Sequence, residues 1–228
     1  MGLAAEARIA RRLDWRVAIG GGTAAGARVA TDQLIGSGAR ALVSFGLAGG
    51  LDPALRPGTI IIPSAIILDD VSYATDAELA HTLGGATPHV ILAADRPAVS
   101  TEAKLRLHKK SAVAALDLES GAVVRACRAR GLPFAVMRAI CDPADRSLPP
   151  AALAALDAHG AISAWRLLTS LAKQPSQLPA LLHLAADAAA ARRALVRRVE
   201  VLAHSCQLRG FAVSAVSLSR GNEEGRRA

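Results

Sequence analysis

Two kinds of segment alternate along most of the chain. Short apolar runs rich in β-branched residues, typical of buried strands, occupy residues 15–20, 41–46, 59–62, 65–68, 89–93, 116–118 and 134–140. Segments with a helical period occupy residues 4–13, 23–35, 76–83, 102–109, 119–130, 151–158, 162–172 and 177–204. This alternation predicts an α/β fold with helices covering both faces of a sheet.

The stretch from residue 116 to residue 145 carries the strongest candidate chemistry. Glu119 follows one predicted strand, Asp142 follows the next, and Arg138 lies inside that second strand. Ligands of open α/β sheets bind at the carboxyl ends of strands, where we expect both acids to lie. Each acid alone has a structural interpretation, as a helix cap or as part of a turn. Together with an arginine inside an apolar strand, they indicate a binding site.

Two glycine-rich segments are further candidates. Gly20, Gly21 and Gly22 lead into a helix with Thr23 as its predicted N-cap, and free N–H groups at such a position can bind an anion. The alternative is a tight turn without a ligand. The second segment, residues 47–50, follows the predicted strand at 41–46 and has few side chains, so its backbone could approach a ligand closely.

The chain is long enough for one large domain, and its charge is uneven. The net charge is +8, and from Arg192 onward eight arginines stand against three glutamates. A basic end can bind nucleic acid or an anionic membrane, but a solvated surface is the simpler interpretation. With no aromatic platform or recognised motif, nucleic-acid binding is not expected. We predict one domain at residues 1–204, with C-terminal helices from about residue 151, and a basic, flexible tail at residues 205–228.

The cysteines, histidines and apolar runs restrict the class of protein. Three cysteines and six histidines show no ligand spacing, so we expect reduced thiols and no metal site. The beginning of the chain has no signal-peptide pattern, and breakers interrupt the longest apolar run. These features favour a cytoplasmic protein.

Four motifs then indicate a family. SFGLAGGL, PGTIIIP, LDLES and FAVMRAICDPAD resemble the purine nucleoside phosphorylase and methylthioadenosine nucleosidase superfamily. The CDPADRSLPP loop and the QLPALL segment make the branch called hopanoid-associated phosphorylases the most similar one. The resemblance spans about residues 2–195. It implies an α/β/α sandwich around a twisted mixed sheet, no cofactor, and cleavage of the N-glycosidic bond of a purine nucleoside.

The resemblance also implies roles for individual residues. Asp142 would protonate purine N7, Glu6 would position an attacking water, and Arg138 would lie near the nucleophile. The implied substrate-binding residues are Glu119, which holds the ribose hydroxyls, and Leu118, Gly49, Gly50 and Leu47; Gly21, Gly22 and Thr23 form the candidate phosphate site. These roles suit the chemistry, because the leaving purine gains negative charge while the sugar becomes cationic.

The sequence departs from the family pattern at three places. The strand expected before Glu6 is missing, Leu47 replaces a serine found in several relatives, and residues 43–45 lack a phosphate-binding arginine. Inorganic phosphate and water therefore both stay open as the nucleophile.

Three functions follow as hypotheses. The first is an enzyme that converts adenosylhopane to a ribosyl or phosphoribosyl hopane, with release of adenine. The second is a general methylthioadenosine or adenosylhomocysteine nucleosidase, and the third is a catalytically weak binding protein at a membrane. Contact with the inner membrane would use Arg192, Arg193, Arg197 and Arg198 at the end of the long helix. A homodimer is a further open alternative.

Overall fold

A computed structural model describes residues 3–155, 164–204 and 212–215, and the side chains of residues 5–153 and 169–204. Residues 156–163, 205–211 and 216–228 lie outside the described residues, and with them the ends of two predicted helices and most of the predicted tail. The boundary predicted at residue 204 stays a prediction.

Strands and helices alternate as the sequence pattern predicts. The α-helices are α1 (Leu3–Ala10), α2 (Ala24–Gly36), α3 (Ala77–Thr82), α4 (Thr101–Ser111), α5 (Ser120–Arg130), α6 (Pro150–Ala155), α7 (Ala164–Lys173) and α8 (Leu178–His204). The strands are β1 (Arg16–Ala18), β2 (Leu42–Gly50), β3 (Ile60–Ile61), β4 (Pro63–Leu68), β5 (Val71–Ala74), β6 (Thr87–Ala93), β7 (Ala115–Asp117), β8 (Phe134–Asp142) and β9 (Ala212–Ala215). Short 3₁₀ turns follow α1 and precede α8.

The described strands form one mixed sheet, in the order β1-β9-β2-β7-β6-β4-β5. Strand β8 joins it through a parallel pairing with β2 and an antiparallel pairing with β3. The long strand β2 changes its partner along its length. It runs parallel to β9 at residues 42–45 and antiparallel to β7 at Gly49 and Gly50. The sheet is therefore curled as well as mixed.

Helices cover both faces of this sheet. On one face, α1 and α8 pack on the odd-numbered residues of β2 and β8, including Phe45 and Met137. On the other face, α2 and α5 pack on their even-numbered neighbours, including Leu42 and Val136. Apolar residues on both faces of β2 and β8 are what a buried parallel strand requires. The predicted α/β/α sandwich is confirmed.

Two details differ from the pattern-based expectation. Strand β8 continues to Asp142, so this acid ends the strand and does not follow it. Strands β7 and β8, which flank α5, are not neighbours, because β2 lies between them. Their two acids therefore do not share one parallel edge.

The position between β1 and β2 is occupied by β9. Ser214 aligns with Ala18 on one side and with Ser44 on the other, and both pairings are parallel. This strand lies within the segment that the sequence analysis assigns to the basic tail. Among the described helices, none has the length and hydropathy that crossing a bilayer requires.

Candidate active site

Helix α1 places the buried carboxyl group of Glu6 against the sheet. Its apolar face, with Ala7 and Ala10, packs into the core, and Glu6 on the adjoining turn is only 1% exposed. A Cβ at Gly46 would lie 3.3 Å from Glu6 Oε2, so the glycine is what allows this close approach. Burial raises the pKa of Glu6 to about 8, although Arg138 and Arg192 lower it in part.

Arg138 lies in the middle of β8 and is completely buried. Its Nε donates to Asp117 Oδ2 at 2.7 Å, and its Nη2 donates to Ser44 Oγ at 2.6 Å. A guanidinium stays charged in a protein, so its burial requires an anionic partner. Asp117 supplies that partner and holds the guanidinium in place.

From the end of β7, Asp117 also accepts hydrogen bonds from the start of α5. Its Oδ1 accepts hydrogen bonds from the backbone N–H groups of Glu119 and Ser120 and from Ser120 Oγ, at 2.9, 2.8 and 2.7 Å. These contacts satisfy the donors at the start of the helix. The Glu119 side chain makes no cap hydrogen bond. The Glu119 side chain therefore does not cap α5, although its position in the sequence would allow it to.

Glu119 instead faces the buried arginine. Its Oε2 lies 3.9 Å from Arg138 Nη2, and the backbone of Gly22 lies near enough to its carboxyl group to lower its pKa. Burial, together with Asp117 and Glu6, raises the pKa of Glu119 to about 8, against the lowering effect of Arg138. Oε1 of Glu119 and Oε1 of Glu6 have no hydrogen-bond partner among the described residues. Glu6, Ser44, Asp117, Glu119 and Arg138 are called the Arg138 cluster below.

The glycine turn before α2 joins this cluster. Gly21 and Gly22 have φ angles of 74° and 75°, a left-handed conformation that favours glycine. The predicted N-cap is confirmed, since Thr23 Oγ1 accepts from the Gly26 N–H at 3.1 Å. With Gly22 turned toward Glu119, part of the predicted phosphate site already faces a carboxyl group.

Asp142 lies at the far end of β8 beside a buried lysine. Lys104 Nζ contacts Asp142 Oδ1 at 2.7 Å and donates to the carbonyl oxygens of Pro143 and Arg146 at 2.9 and 2.7 Å. Lys104 is 1% exposed and Asp142 is 7% exposed. Burial raises the pKa of Asp142 from its ordinary value, and Lys104 opposes that rise. Lys104, Asp142 and these two carbonyls are called the Lys104 cluster.

A cavity of about 210 Å³ opens beside Asp142. Its lining residues come from the loop after β8 and from α8; they are Asp142, Arg146, Ser147, Pro149, Ala180, His183, Leu184 and Asp187. An ion pair between Arg146 and Asp187 joins the two walls. The loop that follows Asp142 is thus held against α8.

Strand β2 connects the two clusters. A Cβ at Gly49 would lie 3.6 Å from Asp142 Oδ2, while Gly46 adjoins Glu6. Gly49 lies three residue steps after Gly46 along the strand, a distance of about 10 Å. The Cys141 thiol lies within the electrostatic reach of both Glu6 and Asp142. The clusters therefore lie near one another, on the scale of a nucleoside.

The remaining predicted residues surround these clusters. Leu47 is half-buried against the core that α1 and α8 share. Leu118 packs beside Leu116, and a Cβ at Gly50 would meet Ile140 Cγ2 at 3.1 Å. The structure thus assigns Leu47 and Leu118 apolar neighbours.

Three polar residues of the clusters were not predicted from the sequence. Asp117 is the polar residue that ends the short apolar strand β7, two positions before Glu119. Lys104 lies one helical turn before Leu107 and His108, on the inward face of α4. Both spacings are visible in the sequence. Ser44, within an apolar strand, carries no comparable signal.

The four arginines predicted to contact a membrane do not share one surface. Arg193 and Arg197 are exposed, whereas Arg192 and Arg198 are half-buried. Arg192 acts electrostatically on Glu6 and Cys141, and the guanidinium of Arg198 packs against Gly84. Among the described residues, no group of three potential ligands is placed to hold a metal ion.

The fold and the motifs agree with a known family. The Phosphorylase superfamily matches residues 15–82 and 85–171, and the chain belongs to this superfamily. Similar curated proteins are the 5'-methylthioadenosine/S-adenosylhomocysteine nucleosidases of Mycobacterium bovis and Mycobacterium tuberculosis, each 27% identical over 152 residues. Each of these two matches covers 46% of this chain and 60% of the relative.

Solved structures agree on the fold. Futalosine hydrolase of Helicobacter pylori matches with a TM-score of 0.57 and 16% identity, over 80% of this chain and 76% of that one. The 5'-methylthioadenosine/S-adenosylhomocysteine nucleosidase of Neisseria meningitidis matches with a TM-score of 0.52 and 22% identity, over 78% of each chain. At these identities the likeness establishes a nucleoside phosphorylase-like fold.

Proposed function

We propose that this chain cleaves the N-glycosidic bond of an adenosine-type nucleoside and releases adenine. The observation that carries this proposal is the pair of buried carboxyl groups, Glu6 and Glu119, each with an unpartnered oxygen, near a third buried acid, Asp142. Buried polar atoms are nearly always satisfied in proteins, so two unpartnered carboxyl oxygens beside a buried arginine support a binding site. The names of the curated relatives support a nucleoside as that ligand.

The acid would be Asp142. As the C1′–N9 bond breaks, its electron pair moves into the purine, and a proton from Asp142 to N7 neutralises the leaving base. An effective general acid needs a pKa near the working pH, and burial moves the pKa of Asp142 in that direction.

The sugar would lie against Glu119 and Glu6. The free Oε1 of Glu119 can accept hydrogen bonds from ribose hydroxyls and stabilise the positive charge that develops on the sugar. Glu6, with a pKa of about 8, is a base of suitable strength to take a proton from water. The water oxygen then forms the new bond to C1′, and free ribosyl product and adenine result.

Hydrolysis is the better supported of the two alternatives. The Arg138 guanidinium already donates to Asp117 and Ser44, which leaves it less able to bind a phosphate anion. Two observations still support phosphate as the nucleophile: the glycine turn beside Glu119 and the electrostatic influence of Arg192 at Glu6. A sugar 1-phosphate would be the product in that case.

The 5′ substituent decides the physiological substrate. The motif resemblance supports a hopane chain, with adenosylhopane as substrate, while the relatives' names support methylthioadenosine or adenosylhomocysteine. The first turns of α8, which line the cavity, also expose Leu178 (46%) and Leu182 (61%). Apolar surface at this place would suit contact with a lipid substrate.

The decisive experiment follows adenine release chromatographically from adenosylhopane, methylthioadenosine and adenosylhomocysteine, with and without phosphate. Mass spectrometry of the sugar product distinguishes hydrolysis from phosphorolysis. We expect release with free ribosyl product and no phosphate requirement. Binding of these nucleosides without adenine release would instead support a catalytically weak binding protein.

Membrane contact is a separate proposal. Exposed Arg193 and Arg197 would provide the attraction to anionic lipid, at about 1 kcal/mol each. Sedimentation with anionic liposomes at low and high salt tests it, with the double change Arg193→Gln and Arg197→Gln as the comparison. If wild type stays in the supernatant at low salt, the membrane proposal fails while the enzymatic one stands.

A further inference from the structure

We propose that Lys104 is a positioning residue for Asp142, which it orients and whose charge state it controls through a buried ion pair. The inference rests on the proposed function, because it concerns the acid of the proposed reaction. The relevant observation is how completely the lysine is engaged. An ammonium group has three donors, and Lys104 Nζ has three acceptors between 2.7 and 2.9 Å: Asp142 Oδ1 and the carbonyls of Pro143 and Arg146.

These contacts fix the acid in one orientation. With Oδ1 held by Lys104, Oδ2 is the oxygen that faces Gly49 and the side of β2 that leads to Glu6. The carbonyl contacts also hold the backbone on the C-terminal side of Asp142, through residue 146. A proton donor must lie within about 3 Å of its acceptor, and small displacements cost large factors in rate. Lys104 therefore sets both the rotamer of Asp142 and the path of the loop behind it.

The same contacts influence when Asp142 carries a proton. The charged groups around Asp142 are Lys104 on α4, Arg146 on the loop and Asp187 on α8, with the Cys141 thiol adjacent and His183 lining the cavity. Lys104 is the closest and most buried of the cations, at 1% exposure. Its positive charge favours the carboxylate, so loss of that charge moves the titration of Asp142 to higher pH.

The test compares Lys104→Met, which keeps the bulk and removes the charge, with Lys104→Arg, which keeps the charge. Lys110→Met on the same helix is the matched control, since Lys110 is exposed and pairs with Asp70 at 3.8 Å. Adenine release is measured as kcat and KM across pH 5–10. A general acid acts in its protonated form, so activity falls as pH rises through its pKa. In Lys104→Met we expect this alkaline limb at higher pH, kcat lower by about 10–100-fold and KM within about threefold.

Lys104→Arg should bring the alkaline limb back toward wild type, and Lys110→Met should leave both parameters unchanged. A purely structural role predicts an equal loss at every pH in Lys104→Met, and that result would overturn the proposal. Near-UV circular dichroism checks folding; if Lys104→Met does not fold, Lys104→Gln, which keeps donors and removes the charge, replaces it in the same assay. An alkaline limb at higher pH in Lys104→Gln supports the proposal, and a limb at the wild-type pH overturns it.

A second readout separates this proposal from the proposed function. In protein labelled with ¹³C at aspartate carboxyls, the Asp142 signal is assigned by its loss in Asp142→Asn and then titrated. Its midpoint should rise in Lys104→Met and stay in place in Lys110→Met. Absence of activity in wild type would reject the proposed reaction, yet the titration would still decide whether Lys104 controls Asp142. An unmoved midpoint would reject that control.

Discussion

The Arg138 cluster and the Lys104 cluster both bury a cation beside carboxyl groups, but they satisfy their polar atoms very differently. Lys104 has an acceptor for each of its three donors. In the Arg138 cluster, Asp117 and Ser44 accept hydrogen bonds from the guanidinium. One oxygen of Glu6 and one of Glu119 have no partner among the described residues. One cluster is complete without a ligand and the other is not.

This difference distinguishes two requirements of a site. A group that must hold one orientation before substrate arrives needs all its neighbours in place, as Asp142 has. A group that must bind a substrate needs an oxygen without a partner in the protein, and burying such an oxygen costs stability. In the Arg138 cluster, Asp117 carries the structural role and leaves Glu119 available.

The largest expected effect comes from breaking the support of the Arg138 cluster. Asp117→Asn removes the anion beside a completely buried arginine and weakens the start of α5. Loss of one partner of a buried pair costs about 3–5 kcal/mol, so the free energy of unfolding should fall by that order. Urea titration followed by circular dichroism measures it.

Asp32→Asn is the matched control for Asp117→Asn. It breaks the exposed pair with Arg130, at 3.2 Å, and should cost about 0–1 kcal/mol. Equal effects of the two changes would mean that the Arg138–Asp117 pair does not support the fold.

The next effect concerns the complete cluster. Asp142→Asn keeps the shape of the side chain and removes its proton-donating ability, so kcat for adenine release should fall by at least ~100-fold. The urea midpoint should also fall, because buried Lys104 loses its anionic partner and the remaining amide oxygen offsets that loss only in part. Turnover is therefore compared under conditions in which circular dichroism shows the variant to be folded. Near-normal turnover in this variant would exclude Asp142 as the acid.

A smaller effect should depend on the sugar. Glu119→Gln weakens contacts to ribose hydroxyls, and hydrogen bonds to a charged group are worth about 1.5–3 kcal/mol. We expect kcat/KM on a riboside to fall at least ~10-fold more than on the matching 2′-deoxyriboside. Parallel assays on the two sugars measure this ratio, and equal losses would remove Glu119 from sugar recognition.

A further effect is on thermal stability and depends on pH. Because the pKa of Glu6 is raised from 4.5 to about 8, the folded chain binds a proton more tightly than the unfolded chain. That contribution to stability is complete below about pH 4.5 and is lost as the pH rises to about 8. In Glu6→Gln, Tm should fall less steeply than in wild type across this pH range. At pH 9 the variant should melt above wild type, by about 2–4 °C for each ~1 kcal/mol of stability regained. Scanning fluorimetry from pH 4.5 to 9 gives the curves, and exposed Glu200→Gln should retain the wild-type slope.

The sequence predicted the layers of the fold and one part of each cluster. Apolar runs and helical spacing are local signals, and they correctly indicated the sandwich and most of its elements. The LDLES and RAICDPAD motifs placed Glu119, Arg138 and Asp142 at strand ends and inside a strand. The helical spacing of Lys104 indicates an inward side chain, but its partners, Asp142 and the carbonyls of Pro143 and Arg146, lie far along the chain, and no local pattern encodes those contacts.

Topology was harder to predict for the same reason. The insertion of β2 between β7 and β8 depends on pairings across the whole sheet. A run of two apolar strands joined by one helix is equally typical of adjacent strands. The roles of the site residues stay predictions until the variants are measured.

The position of β9 has a consequence for the order in which the chain can fold. Strand β1 pairs with β9, and β9 in turn pairs with β2, so residues 16–18 have their neighbouring strand only once residues 212–215 exist. Contacts between such distant parts of a chain form slowly, because a long loop must close before they stabilise anything. On the ribosome, β2, β7 and β8 can assemble early, while β1 and its turn toward Glu119 wait for the last part of the sheet. The residues of both clusters are thus synthesised well before β9 pairs with β1 and supports the glycine turn beside Glu119.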